Sequence, residues 1–169
     1  MMISGSNLGF NCLDNSYYFS KYGQIWGWAT WKRAWRKYEK NVNPLNSNIK
    51  YMNNMEKIYW QNNFERIKWD VQFAVYSIWL NNGIAILPSV NLVTNIGFDL
   101  QATNYKLKDN PNANIESKIL TFPMIHPNLI RTDDDLDSRI FFNSYYKSFL
   151  QRFWDLIKLK CIYYFNRFI

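Results

Sequence analysis

The stretch from Trp69 to Val93, WDVQFAVYSIWLNNGIAILPSVNLV, decides the fold class. Asp70 opens a segment, Val71 to Leu80, that is apolar nearly all round, and a helix with so little polar face is buried on several sides. Asn82-Gly83 closes it, because these residue types accept the left-handed backbone that ends helices. Ile84–Leu87 and Val90–Val93 then read as two strands split by Pro88-Ser89. A buried helix followed at once by short apolar strands predicts an α/β domain.

Outward from this centre the pattern is less regular. Met1-Met2-Ile3-Ser4-Gly5 reads as a strand entering a glycine turn, and Ser16 to Ser20 as a second, aromatic strand. Trp26-Gly27-Trp28-Ala29-Thr30-Trp31 leads into Lys32-Arg33-Ala34-Trp35-Arg36, where Thr30 can cap a helix with Trp31 and Trp35 on one face. Residues 41–48 form a loop, and a helix is expected from about Ile49 to Ile67, presenting Tyr51, Met55, Ile58, Tyr59 and Asn62. Residues 95–123 read as a long covering loop. Thr132 is the expected cap of a helix start at Asp133-Asp134-Asp135, with the last helix running from about Leu136 to the C-terminus.

The 169 residues fit one domain, and 48% hydrophobic with 19% aromatic content excludes a disordered chain. No apolar run reaches the ~18 residues of a membrane-spanning helix. Two cysteines, Cys12 and Cys161, are too few for a disulfide scaffold and point to a reducing, cytoplasmic compartment. No secretory signal opens the chain. The net charge of +7 favours anionic partners. From Tyr146 to Ile169, Lys147, Arg152, Lys158, Lys160 and Arg167 face a single acid, Asp155. They alternate with aromatic and aliphatic residues, which suits peripheral contact with an anionic membrane surface.

Several chemistries are excluded. The only histidine, His126, leaves no Ser-His or Cys-His pair of usual form, and one His with two distant Cys cannot make a zinc site. Neither GxGxxG nor GxxxxGK[ST] occurs. What remains is an aromatic set with one well-placed carboxylate. Trp26, Trp28 and Trp31 beside Lys32, Arg33 and Arg36 can stack on sugar rings or bases and meet phosphates, or simply fill a core. Asp70 is either a base or a helix cap.

The string from Tyr17 to Trp35, YYFSKYGQIWGWATWKRAW, resembles the central signature of a bacterial family of nucleotide-diphospho-sugar transferases. These hemolytic-protein-like enzymes are related to family 2 glycosyltransferases of the GT-A fold. Three further stretches match in the family's order: Trp69-Asp70-Val71-Gln72, Leu87 through Phe98, and Ala102-Thr103. The opening MMISG is similar to the strand that follows the family's catalytic centre.

The resemblance implies the C-terminal, acceptor-binding half of a GT-A-like mixed sheet flanked by helices, over residues 1–130, with a long helical tail over 131–169. Asp70 matches the carboxylate that takes the acceptor hydroxyl proton. Trp26, Gly27, Trp28, Thr30, Trp31 and Gln72 fall at substrate-binding positions, with a glycan or lipid-linked acceptor as partner. Relatives carry Ala-Thr-His where this chain has Asn104, so Asn104 is a weakened contact to the donor diphosphate. The family's nucleotide-sugar and Mg²⁺ or Mn²⁺ sites belong to a half that would precede Met1. Residues 1–169 are therefore expected to hold no metal ligand and to be inactive alone, with the donor bound only when that half is present. The alternative is a non-catalytic carbohydrate- or partner-binding module, and nucleic acid is not an expected partner.

Overall fold

The computed structural model describes residues 1–8, 14–40, 52–97 and 114–146. They form a mixed α/β unit with one four-stranded sheet, β1 (Met2–Ile3), β2 (Tyr17–Ser20), β3 (Ala29–Thr30) and β4 (Ala85–Pro88), in the order β2-β4-β1-β3. β1 pairs parallel with β4, and both pair antiparallel with the edge strands β3 and β2. The expected strand at Val90–Val93 does not form. Asn91 is buried there, and its amide donates to the carbonyls of Val93, Ile115 and Glu116, tying two loop segments together instead of joining a ladder.

The helices are α1 (Lys32–Trp35), α2 (Asn54–Asn63), α3 (Trp69–Val71), α4 (Ile78–Leu80) and α5 (Asp134–Ile140). A π-helical stretch, Gln72–Ser77, joins α3 to α4, so residues 69–80 make one continuous helical run. Gln72 through Trp79 are all buried, as the apolar sequence predicts. Asn82 takes the left-handed position (φ 47°) and Gly83 N–H closes the end on the Ile78 carbonyl at 2.7 Å.

Three expected helix details are corrected. Thr30 lies in β3 and donates its hydroxyl to the Met1 carbonyl, so the N-cap position of α1 falls to Trp31, with no side-chain cap. In α2 the buried face is Met52, Glu56 and Trp60, one step round from the expected face, while Met55 and Ile58 are exposed. Asn53 and Glu56 form a reciprocal capping box that starts α2. Asp133, not Thr132, caps α5 by accepting from the N–H groups of Asp135 and Leu136, because Thr132 bridges to Phe19.

After α5 a π-helical turn, Phe141–Tyr145, ends at Tyr146, whose backbone is extended. The basic and aromatic tail, residues 147–169, lies outside the described residues, as do Asn104, Cys12 and Cys161. Among the described residues no helix is long and apolar enough to cross a membrane.

Trp60, fully buried, is the hub that holds the helices together. Its ring meets Tyr76 and Trp79 of the 69–80 run at 5.7 and 5.3 Å, and Tyr145 at 4.8 Å. Such edge-on and tilted pairs each add about 0.5–1.5 kcal/mol beyond their burial.

Next to this hub lies a buried polar network. Lys21 Nζ pairs with Glu56 at 2.8 Å, and Tyr22 donates its hydroxyl to the same carboxylate at 2.5 Å. Burial, then the adjacent Glu56 charge, pushes the Tyr22 pKa up, which keeps the proton it donates. Asp137 accepts from the Ser20 hydroxyl and from Lys21 N–H.

Burial pushes Asp137 up to about 6, against the lowering effect of those bonds and of Lys21. A folded pKa raised above the unfolded value near 3.9 means the folded state holds the proton more tightly. The stability contributed by this group is therefore full below about pH 4 and lost as pH rises through about 6. The loss approaches about 3 kcal/mol at neutral pH. Asp137→Asn, which mimics the protonated acid, should match the wild type in urea unfolding near pH 4 and exceed it at pH 7.5. Parallel pH profiles for the two proteins would contradict this assignment.

Candidate functional site

Residues 24–28 carry the chain from the buried network to the surface. Gly27 sits at φ 59°, in the left-handed region, and its carbonyl accepts from Gly5 N–H at 2.8 Å. A Cβ at Gly27 would press into Val93, so both conformation and space require glycine. The turn sends the Trp28 ring back onto the sheet-side helix, where it stacks on Phe73 at 5.3 Å. Trp26 is half-buried just before the turn.

Phe73 is the buried base of an aromatic cluster. Trp35 meets it at 5.0 Å, stacks on Tyr38 at 5.4 Å and stands edge-on to Trp69 at 6.2 Å. Trp35 and Trp69 remain 42% and 53% exposed, so the cluster has a buried floor and an open aromatic mouth. Trp35 is stacked on Tyr38 and tilted onto Phe73 and Trp28, while Trp69, the more exposed indole, meets Trp35 edge-on. An exposed ring of this kind is what stacking on a sugar requires.

Asp70 directly follows Trp69 at this end of the cluster. It occupies the first turn of the 69–80 run, with Lys68 in the cap position, and its Oδ1 accepts from Val71 N–H at 2.8 Å. Its charge is felt by Tyr38: burial first, and then Asp70, raises the Tyr38 pKa. Tyr38 donates to Gln72 Oε1 at 3.4 Å, and Gln72 Nε2 donates to the Ile67 carbonyl at 3.0 Å. Gln72 therefore braces the start of the helix on which Asp70 rides.

The residues predicted from sequence thus divide. Asp70, Gln72 and Trp28 belong to one cluster, with Trp28 one ring removed from the mouth. Thr30 serves the β1–β3 edge. Trp31 lines a groove on the sheet under the Arg33 guanidinium, 5.0 Å away, and does not share a face with Trp35. Trp35, Tyr38 and Trp69 were missed as site residues. Trp35 and Tyr38 are spaced i, i+3 and Trp69 directly precedes Asp70, which is the only local signal they offer.

Among the described residues no three His, Cys, Asp or Glu side chains converge to hold a metal ion. Comparison with family models, with curated proteins and with solved structures finds no match to this chain.

Gly27→Ala should cost about 2–4 kcal/mol in urea unfolding, from the left-handed backbone and the contact with Val93. Adding Val93→Ala should recover the steric part and leave the conformational part. A Gly27→Ala protein as stable as the parent would show that the turn does not hold Trp28 in place.

Proposed function

We propose that the chain carries the acceptor side of a GT-A-like, nucleotide-sugar-dependent glycosyltransferase acting in the cytoplasm, with Asp70 as the base. The observation that carries this reading is a carboxylate in the first turn of a buried helix, next in sequence to the exposed Trp69 and close enough to the Tyr38 phenol for its charge to raise the Tyr38 pKa. The similarity of the IWGWATW and WDVQ strings to glycosyltransferase motifs supports it.

In this reading the acceptor sugar lies against Trp35 and Trp69, and one hydroxyl meets Asp70. As that oxygen attacks the anomeric carbon of the donor sugar, its proton passes to Asp70 and the nucleoside diphosphate departs. Proton removal by a positioned carboxylate contributes typically 10²–10⁴-fold to rate. Val71 N–H already bonds Asp70 Oδ1, which fixes the carboxylate before the acceptor arrives. The rigid 69–80 run, anchored through Gln72, keeps the base and the indoles in register.

A glycan array followed by calorimetry on the strongest binder tests the reading, with transfer assayed against a panel of nucleotide sugars and Mn²⁺. Trp69→Ala and Trp35→Ala should each weaken binding roughly tenfold, the equivalent of about 1.4 kcal/mol. A deoxy series should identify one hydroxyl whose removal and Asp70→Asn are non-additive, because both delete the same hydrogen bond. Glycan binding indifferent to Asp70→Asn would fit a non-catalytic carbohydrate-binding module and overturn the assignment of a base.

A further inference from the structure

A second feature lies across α1 from the Asp70 mouth. Period-two alternation sends Met2, Ala85 and Leu87 into the core and turns Phe19, Ile84 and Ile86 to the other face of the sheet, where Met1, whose side chain reaches back toward Gly83 and the core, borders them. These four residues line a groove of about 340 Å³, at the lower end of the ~300–1,000 Å³ range of small-molecule sites. Trp31, Arg33 and Lys37 form its wall and rim. The Asp70 mouth uses Trp35 and Tyr38, so the two sites share no residue.

The charge around the groove is one-sided. Residues 32–40 carry Lys32, Arg33, Arg36, Lys37 and Lys40 against Glu39 alone. No carboxylate lines the groove, and among the described residues neither Arg33 nor Lys37 pairs with one. The Arg33 guanidinium rests over the Trp31 indole, which leaves its outer edge open to an anion.

The floor also discriminates by what it lacks. β1 is hydrogen-bonded to β3 and β4, and β4 to β1 and β2, so their main-chain groups are already paired. An incoming peptide strand would find no backbone partner there, whereas a hydrocarbon chain needs none. Apolar floor, cationic rim and saturated main chain together match an amphiphile with an anionic head.

We propose that this groove binds an anionic lipid, with a hydrocarbon chain on Phe19, Ile84 and Ile86 and the phosphate head between Arg33 and Lys37. The site attaches the protein to anionic bilayers from the α1 face. It is independent of the proposed sugar transfer, since it uses none of the residues around Asp70.

Calorimetry and amide chemical-shift mapping with monomeric dodecyl phosphate test the proposal, with dodecyl maltoside and inorganic phosphate as matched probes. One equivalent of dodecyl phosphate should bind, shifting residues of β1, β4 and α1, while the maltoside and free phosphate bind at least roughly tenfold more weakly. The surface double variant Arg33→Gln/Lys37→Gln should lose roughly tenfold or more in affinity. Ile86→Trp should block the chain while keeping the parent's melting transition, and Asp70→Asn should bind as the parent does. Vesicles of phosphatidylcholine mixed with phosphatidylglycerol should retain the protein, and phosphatidylcholine alone should not. Equal affinity for the maltoside, equal affinity for free phosphate, or undiminished binding by the double variant would overturn the proposal. So would a dimer in solution that Ile86→Trp dissociates, which would assign the face to a second copy of the chain.

Discussion

Four consecutive residues, Ser20 at the end of β2 and the three that follow it to Gly23, fasten the sheet to α2, α5 and the 69–80 run. Ser20 and Lys21 hold Asp137 of α5, and Lys21 and Tyr22 hold Glu56 of α2. Gly23 N–H donates to the Ala74 carbonyl at 2.9 Å, and Trp79 Nε1 donates to the Lys21 carbonyl at 2.9 Å. A side chain at Gly23 would strike Met2 and the Ala74 carbonyl, so the close approach itself depends on glycine. Taking two carboxylates and an ammonium out of water is expensive, and it is tolerated here because each is bonded by several partners. Removing Lys21 would leave the buried Glu56 carboxylate without its counter-charge.

The site follows from that anchor. The chain leaves Gly23, turns at Gly27 and lays Trp28 on Phe73, so the position of the aromatic floor is set by bonds made a few residues earlier. The same 69–80 run whose Trp79 donates to the Lys21 carbonyl carries Asp70 in its first turn. Its π-helical middle holds Phe73 and Tyr76, and π-helical turns recur at functional sites. A rigid buried helix with a carboxylate at its mouth and open indoles beside it is a scaffold suited to fixing an acceptor, since misplacement of a reacting group by about 1 Å can cost on the order of 10²-fold in rate.

Much of the architecture was legible in the chain. The apolar 69–80 segment, its asparagine-glycine stop and the strand after it are strong local signals, and all three appear in the structure. The details that shifted depend on distant partners. The buried face of α2 turned because Lys21, thirty-five residues away, draws Glu56 inward. Thr132 surrendered its capping role because it pairs with Phe19, and the expected strand at Val90–Val93 gave way to the buried Asn91 amide. In the site, Asp70 is legible from its motif, whereas the left-handed turn at Gly27, a residue expected only at a substrate-binding position, is not read from the chain. The convergence of Trp35, Tyr38 and Trp69 could not be read either, because it arises only when α1 packs beside the helix start. The split between Trp31 and Trp35 depends in the same way on where α1 begins.

The central claim is that Asp70 and the exposed indoles form one acceptor-binding mouth. Intermolecular nuclear Overhauser effects between a bound glycan and the protein test it most directly. The account predicts contacts from the sugar ring C–H protons to the indole protons of both Trp35 and Trp69, together with chemical-shift changes at Val71 N–H next to the Asp70 carboxylate. Contacts confined to Trp31 and the sheet groove, with the Trp35, Trp69 and Val71 signals unmoved, would contradict it.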